Sequence, residues 1–331
     1  MGTCTCWPGA IRDMFLTPQG GKSMQTAPSV QIPNMHPRVY VLAEKVFSSK
    51  ADTIDSVDLK DRDIGEDGGR YLSAILPYLK NIVLLNLQFT SISTNAWELI
   101  FQGLGEINSL RHLDVSRNAL SEKNIMSLSA SIVKHMNLEA LILDSTTLSS
   151  TSMIDLGKSL VSLPKLKILS LSSNTISDIG LITLSNSLTF LSDLQFLDIS
   201  ANTLTSISIP YLSTALPHLS QLKVLKLGDN PIKDQGLLLI IQVLEANLEE
   251  LGLNNIGMSA KGLQELCSKL PSMRNLTYLY LDYNLIDQKP MKILIDILPK
   301  LNLKHLSLVG CDVSNHRKAL SLAHQFTEVL I

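Results

Sequence analysis

The sequence predicts an α/β solenoid: one elongated domain in which about ten repeats of about 28 residues each give a short strand and a helix. Three observations predict it. First, in the stretch Leu166 to Ile176, LKILSLSSNTI, the inward Leu166, Leu169 and Leu171 alternate with the outward Ile168, Ser170 and Ser172, as a half-buried strand requires. Asn174 then turns the chain, because an amide can both donate to and accept from the backbone of a non-helical corner. Second, comparable stretches begin at Ile54, Ile82, Leu110, Leu138, Leu166, Leu194, Leu222, Leu248, Leu276 and Leu303, spaced by 28 six times and then by 26, 28 and 27. A random leucine-rich chain does not keep phase over so many units. Third, each stretch is followed by helical spacing, as at Leu181, Leu184 and Leu188.

Length alone would allow two ordinary domains, but a solenoid grows along one axis and needs no second core. Net charge is near zero and the sequence pI is about 6.4, so no basic field points to nucleic acid or to an anionic membrane. Cys4, Cys6, Cys267 and Cys311 form no evenly spaced disulfide framework, which favours a reducing compartment. There is no apolar core of signal-peptide length, and the longest apolar run, Leu237 to Ile241, is far short of a membrane span. A soluble, cytoplasmic protein is expected.

Residues 1–38 carry Pro8, Pro18, Pro28, Pro33 and Pro37 among Gly, Ser, Thr and Gln, without strand or helix periodicity, and read as a disordered tail. Gly20-Gly21-Lys22-Ser23 looks like the end of a phosphate loop, but Leu16 stands where its first glycine belongs and no strand precedes it. The opening Met1-Gly2-Thr3-Cys4-Thr5-Cys6 resembles acylated N-termini, with Gly2 for one lipid and Cys4 or Cys6 for the second that stable anchoring needs. It departs from that pattern at Cys6, where Ser or Thr is expected. Membrane association follows only if these residues are acylated.

Residues 39–53 are expected to hold a capping helix with apolar positions Val39, Val41, Leu42 and Val46. The repeats proper occupy 54–313. Their turn position is filled by Asn118, Asn174, Asn202, Asn230 and Asn284, by Cys311, and by Thr90 and Thr146, with Arg62 and Ile256 as departures. Ser177 or Asp178 can cap the helix of the fifth repeat, and Ser121, Asp234, Ser259 and Asp287 stand at equivalent starts. Gly68, Gly180, Gly236 and Gly262 recur at the helix entry, where a tight path leaves little room for a side chain. Residues 314–331 are expected to close the array with a helix over Arg317 to Leu330, inward at Leu320, Ala323 and Leu330.

Units of this length with a full helix resemble the ribonuclease-inhibitor-like class of leucine-rich repeats, which includes the Ran GTPase-activating protein. The resemblance covers roughly residues 50 to 331. It implies a horseshoe with parallel strands on the concave face and helices on the convex face. The phrase Asn247-Leu248-Glu249-Glu250-Leu251-Gly252-Leu253-Asn254, followed by Ser259-Ala260-Lys261-Gly262, resembles a late repeat of the Ran activator. That family's essential arginine follows Phe-Thr-Gly, whereas here Phe89-Thr90-Ser91 is followed by Ile92, and the acidic C-terminal run is missing.

No complete phosphate loop, nucleophile elbow or metal-spaced His/Cys cluster is present, and Cys4-x-Cys6 lacks the second pair that zinc needs. Neither enzymatic activity nor a cofactor is expected. Cys267, in a helical stripe, and Cys311, at a turn, read as buried small residues, and His112 and His305 as outward, solvated ones. Acidic residues outnumber basic ones at outward strand positions, which favours a partner with a basic surface.

Tyr278, Tyr280 and Tyr283 place three of the chain's seven tyrosines within six residues, beside Asp282. Tyrosine offers contact area at low entropic cost and a polar tip, so this cluster is a candidate anchor, unless the rings pack on one another or on the cap. The resemblance adds that in ribonuclease inhibitor a tyrosine-rich late repeat contributes to partner binding. The candidate partner-binding set is Tyr278, Tyr280, Asp282, Tyr283, His305, Glu250, Phe196 and Asp198. Leu84, Phe89, Ile142, Ile168 and Phe196 make a further apolar spot, or pack sideways between strands. A non-enzymatic scaffold that binds a protein on the concave face is the expected function. The alternative is a small-GTPase regulator using Arg62, Arg70 or Arg117, with membrane tethering as an addition.

Overall fold

The computed structural model describes residues 36–46, 51–286, 288–314 and 328–330, without the side chains of 288 and 289. Ten strands of three residues fall where the repeats predict them: β1 (Ser56–Asp58), β2 (Leu84–Asn86), β3 (His112–Asp114), β4 (Ala140–Ile142), β5 (Ile168–Ser170), β6 (Phe196–Asp198), β7 (Val224–Lys226), β8 (Glu250–Gly252), β9 (Tyr278–Tyr280) and β10 (His305–Ser307). Helix α1 (Pro37–Lys45) precedes them. The helices between strands are α2 (Gly65–Ile75), α3 (Thr94–Leu104), α4 (Glu122–Ile132), α5 (Ser152–Leu160), α6 (Ser177–Leu188), α7 (Ile209–Ala215), α8 (Lys233–Val243), α9 (Ala260–Lys269) and α10 (Gln288–Ile297).

The strands pair in parallel, in sequence order, in one sheet. Their central residues, among them Leu113, Leu141, Leu169, Leu197 and Leu225, stand in register and are buried, so one ladder of leucines lines the core. Parallel strands stack about 4.8 Å apart whereas packed helices need about 8–10 Å, so the stack bends with its strands on the inside. The core is continuous from Val39 to Val313.

Each turn asparagine locks its repeat to the one before it. The buried Asn174 amide donates to Leu143 O (2.8 Å), Leu171 O (3.0 Å) and Ser172 O (3.1 Å), and its Oδ1 accepts from Thr146 N and Leu148 N, both at 2.9 Å. Asn118, Asn202, Asn230 and Asn284 repeat the pattern. Thr90 and Thr146 satisfy themselves locally through Oγ1 and donate their N–H to the next asparagine. Ile256 is tolerated because Asn284 Oδ1 accepts its N–H at 3.1 Å. The residue before each turn position adopts a left-handed backbone, as at Phe89, Arg117, Ser173, Ala201 and Tyr283.

Three expectations are corrected. The helix expected up to Leu330 does not reach it: 315–327 lie outside the described residues, and β11 (Glu328–Leu330) joins β10 in parallel. The physical reason is the open edge of β10, whose backbone groups are satisfied when Leu308 N donates to Leu330 O at 2.8 Å. Asp178 and Asp234 do not cap their own helices. Asp178 accepts from Thr205 N, Thr205 Oγ1 and Ser208 Oγ of the next repeat, and Asp234 accepts from Ser259 N and Oγ. Burial opposes charge on Asp178, but the Ser208 and Thr205 bonds hold its carboxyl below the usual range. Ser177 does not cap α6 either; it sits at φ 55°. Ser121 does cap α4, in a reciprocal box with Asn124, and Ser259 caps α9. The glycine at the entry to α6 is required sterically, since a Cβ on Gly180 would lie 2.6 Å from Ile176 Cγ2.

Candidate functional site

The side chains facing away from the core on the strands decide what the concave wall offers. Register places Tyr278 between Glu250 and His305, and Tyr280 between Gly252 and Ser307. Alternation along β9 puts both tyrosines on the same side, with Leu279 buried between them. Tyr278 is 40% exposed and Tyr280 is partly covered. The His305 ring completes the group, with centroids 5.3 Å from Tyr280 and 6.2 Å from Tyr278, both tilted. His305 is thus half-buried and engaged, not a solvated surface residue, and its Nδ1 lies 3.2 Å from Glu328 Oε2. His112, at the far end of the sheet, is exposed as expected.

Burial first, and then the Glu250 carboxylate, push the Tyr280 phenol above its ordinary value, so the ring keeps its proton and can donate a hydrogen bond at neutral pH. Glu250 itself is paired with Lys226 Nζ at 3.0 Å. The same ammonium stands 5.4 Å from the Phe196 ring centroid. Its stem also covers Gly252, where an added Cβ would lie 3.4 Å from Lys226 Cγ. Phe196, Lys226 and Glu250 therefore form one chain of contacts running toward Tyr278.

The predicted set divides under this geometry. Tyr278, Tyr280, His305 and Glu250 come together. Phe196 and Asp198 lie on β6, three strands and roughly 14 Å from β9. Asp198 spends one oxygen on Ser200, accepting from its N–H at 2.9 Å and its hydroxyl at 2.5 Å, and burial holds its carboxyl above the usual range. Asp282 is likewise used within the fold, accepting from Ser307 Oγ and from Val309 N at 2.8 Å. Tyr283 stands outside the strand, on the left-handed loop tip (φ 56°), and is 63% exposed. Its ring lies against Gly310, where a Cβ would overlap Cδ1. The pairing of a loop-tip aromatic with Gly310 could have been found by comparing loop-tip positions repeat by repeat.

The apolar spot also divides. Ile142, Ile168 and Phe196 sit on the successive strands β4, β5 and β6, while Leu84 and Phe89 belong to the second repeat. There the Arg117 guanidinium lies 4.7 Å from the Phe89 ring centroid. Cys267 is buried, with its thiol pushed up to about 12 by burial, and Cys311 is half-buried, donating to Leu281 O at 3.3 Å in place of a turn asparagine. Among the described residues, no group of three or more His, Cys, Asp or Glu side chains is placed to hold a metal ion, and no helix is long and apolar enough to cross a membrane. Gly2, Cys4 and Cys6 lie outside the described residues.

Stacked strand-helix units held by turn asparagines, with a variable outer wall, define a solenoid repeat protein. A family model described as Leucine Rich repeat matches residues 162–185 and 218–240. The chain is 33% identical over 94 residues to NACHT, LRR and PYD domains-containing protein 3 of Macaca mulatta and of Homo sapiens, a match covering 27% of this chain and 9% of the relative. The chain thus spans less than a tenth of the length of these relatives. The fold is similar to that of a chain in the crystal structure of the yeast Rad7 and Elc1 complex, with a TM-score of 0.59 and 17% identity, covering 83% of this chain and 67% of that one. The fold is that of a leucine-rich-repeat solenoid.

Proposed function

We propose that this chain is a ribonuclease-inhibitor-like, non-enzymatic scaffold in the cytoplasm that grips a protein partner on the C-terminal part of its concave wall. The observation that carries this reading is the Tyr278, Tyr280 and His305 cluster, an accessible aromatic group with a carboxylate on each side, Glu250 and Glu328. Aromatic side chains with polar tips on a rigid sheet are what interface anchors require, and the neighbouring carboxylates favour a basic partner surface. The yeast structural neighbour was crystallised as a complex of Rad7 and Elc1, which supports a protein partner. The free thiols of Cys267 and Cys311 support a reducing compartment.

Regulation of a small GTPase has less support. Where the Ran activator resemblance calls for an arginine, Ile92 is buried in the core, Arg117 is engaged by Phe89, and Arg70 pairs with Glu66 at 3.1 Å. Lipid attachment at Gly2 with Cys4 or Cys6 would add a membrane tether to the scaffold. A Gly2→Ala variant that fractionates like wild type would remove that addition.

The test is affinity capture with the full chain, beside a Tyr278→Ala/Tyr280→Ala variant, followed by mass spectrometry. The expected result is a protein set lost from the variant while both chains melt alike. Identical captured sets would reject the site.

A further inference from the structure

The helix side of the solenoid carries a feature that partner binding on the strand side leaves unused. At one and the same helical position stand Met126 on α4, Ile154 on α5, Ile182 on α6, Pro210 on α7 and Leu238 on α8, each exposed or half-buried. Successive helices touch, so these equivalents lie side by side and draw an apolar stripe across five repeats. The stripe ends at Glu98, which pairs with Lys123 at 2.8 Å, and at Gln264. Beside its centre, at the helix entries, Ile179 is 68% and Ile207 is 70% exposed, and Tyr211 follows one turn after Ile207. The core does not demand these side chains, because Leu181, Leu184, Leu188 and Leu212 already fill the inward positions.

Charge is missing from the same region. No Asp, Glu, Lys or Arg occurs from residue 199 to 222, and between 179 and 198 the sequence holds only Asp193 and Asp198. Asp178, at the start of α6, is consumed by its bonds to Thr205 and Ser208. On the flanking helices, by contrast, Asp155 pairs with Lys158, and Lys233 and Asp234 open α8.

We propose that this face, centred on Ile179, Ile207 and Tyr211, pairs with the same face of a second copy of the chain. Two arguments select that occupant. A two-fold contact sets a patch against itself, so any net charge repels; this face carries almost none, whereas the strand side, with Asp114, Asp144, Asp198 and Asp282, would repel its own copy. The area also fits. At roughly 150–250 Å² for a large side chain, the exposed parts of Met126, Ile154, Ile179, Ile207 and Tyr211 amount to on the order of 500 Å². That is about the apolar share of the ~800 Å² that one partner gives to an interface of standard size, and more than scattered surface apolarity.

The experiment is sedimentation velocity on the full chain at about 50 μM, where a standard-sized interface is populated. Wild type is expected to sediment with twice the mass of one chain, and Ile179→Asp/Ile207→Asp as a single chain with an unchanged circular dichroism spectrum. The milder Ile207→Ser should weaken the dimer at least tenfold, guarding against a misfolded double variant. Tyr280→Ala should leave the dimer intact, which separates this contact from partner binding. A monomeric wild type, or a folded double variant that stays dimeric, overturns the proposal. So does a monomeric wild type that co-sediments with phosphatidylcholine vesicles through Ile207, which would reassign the face to a lipid surface.

Discussion

The strand side and the helix side of this solenoid come from the same repeats, yet they treat polar groups in opposite ways. On the strand side carboxylates are tied into the fold: Asp144 accepts from Ser170 Oγ (2.7 Å) and Ser172 N (2.8 Å), and Asp282 does the same for Ser307 and Val309. On the helix side, ion pairs at the early repeats give way between α6 and α8 to bare isoleucines and a tyrosine. The repeat thus fixes its inward residues and, less strictly, its turn position. The outward positions are free, and each side has been given a different surface chemistry.

Four measurements test that contrast. Asn202→Ala removes one donor each from Leu171 O, Ile199 O and Ser200 O, which keep Asn174 Nδ2, Asn230 Nδ2 and Ser173 N, and it leaves the buried Ile176 N–H without a partner. It should cost about 3 kcal/mol or more of unfolding free energy in urea, whereas Ile207→Ser on the helix side, at chain concentrations too low for self-association, should stay within about 0.5 kcal/mol. Comparable losses would end the distinction between a pinned and a free side. Tyr280→Ala should weaken a captured partner by roughly 2 kcal/mol in a titration, with little change in stability.

A third outcome concerns pH. His135 is fully buried, and neither ring nitrogen forms a hydrogen bond. Burial lowers its proton affinity from the ordinary 6.5, which the nearby Leu104 carbonyl offsets only in part. The unfolded chain therefore binds this proton more readily than the folded one. Stability should be level above pH 6.5 and fall as pH drops below it, and His135→Leu should flatten that slope in melts across pH 7 to 5.

The smallest effect belongs to Glu139, bridged by Lys167 (2.8 Å) and Arg111 (2.6 Å) across three repeats, which together hold its carboxyl at about 2. Its folded value lies below the ordinary 4.5, so its contribution is present above pH 4.5 and lost as pH falls toward 2. Glu139→Gln should cost under about 1 kcal/mol at pH 7, and less in high salt.

Much of this was legible in the residues. The phase of the leucines gave ten strand positions, and Asn174 and its equivalents announced the ladder, because alternation and turn chemistry are local properties. Tyr278 and Tyr280 were readable as outward neighbours for the same reason. Contacts between repeats were not legible. Asp178 looks like a cap until the next repeat brings Thr205 and Ser208 to it, and His305 looks solvated until β9 and β11 flank it. The apolar stripe was present at helix positions one repeat length apart, as Met126, Ile154 and Ile182, but emerges only when helices are compared position by position, as the strands were.

The period, the inward ladder and the turns follow from residues a few positions apart and are therefore written in the chain. Which outward side chains meet depends on the stacking: the Tyr280 and His305 pair, the Tyr283 ring against Gly310 and the closing strand at Glu328–Leu330. The physical reason is lateral. Stacking sets residues about one repeat apart beside each other, and the lengths, charges and hydrogen-bonding needs of both partners then settle what the pair does.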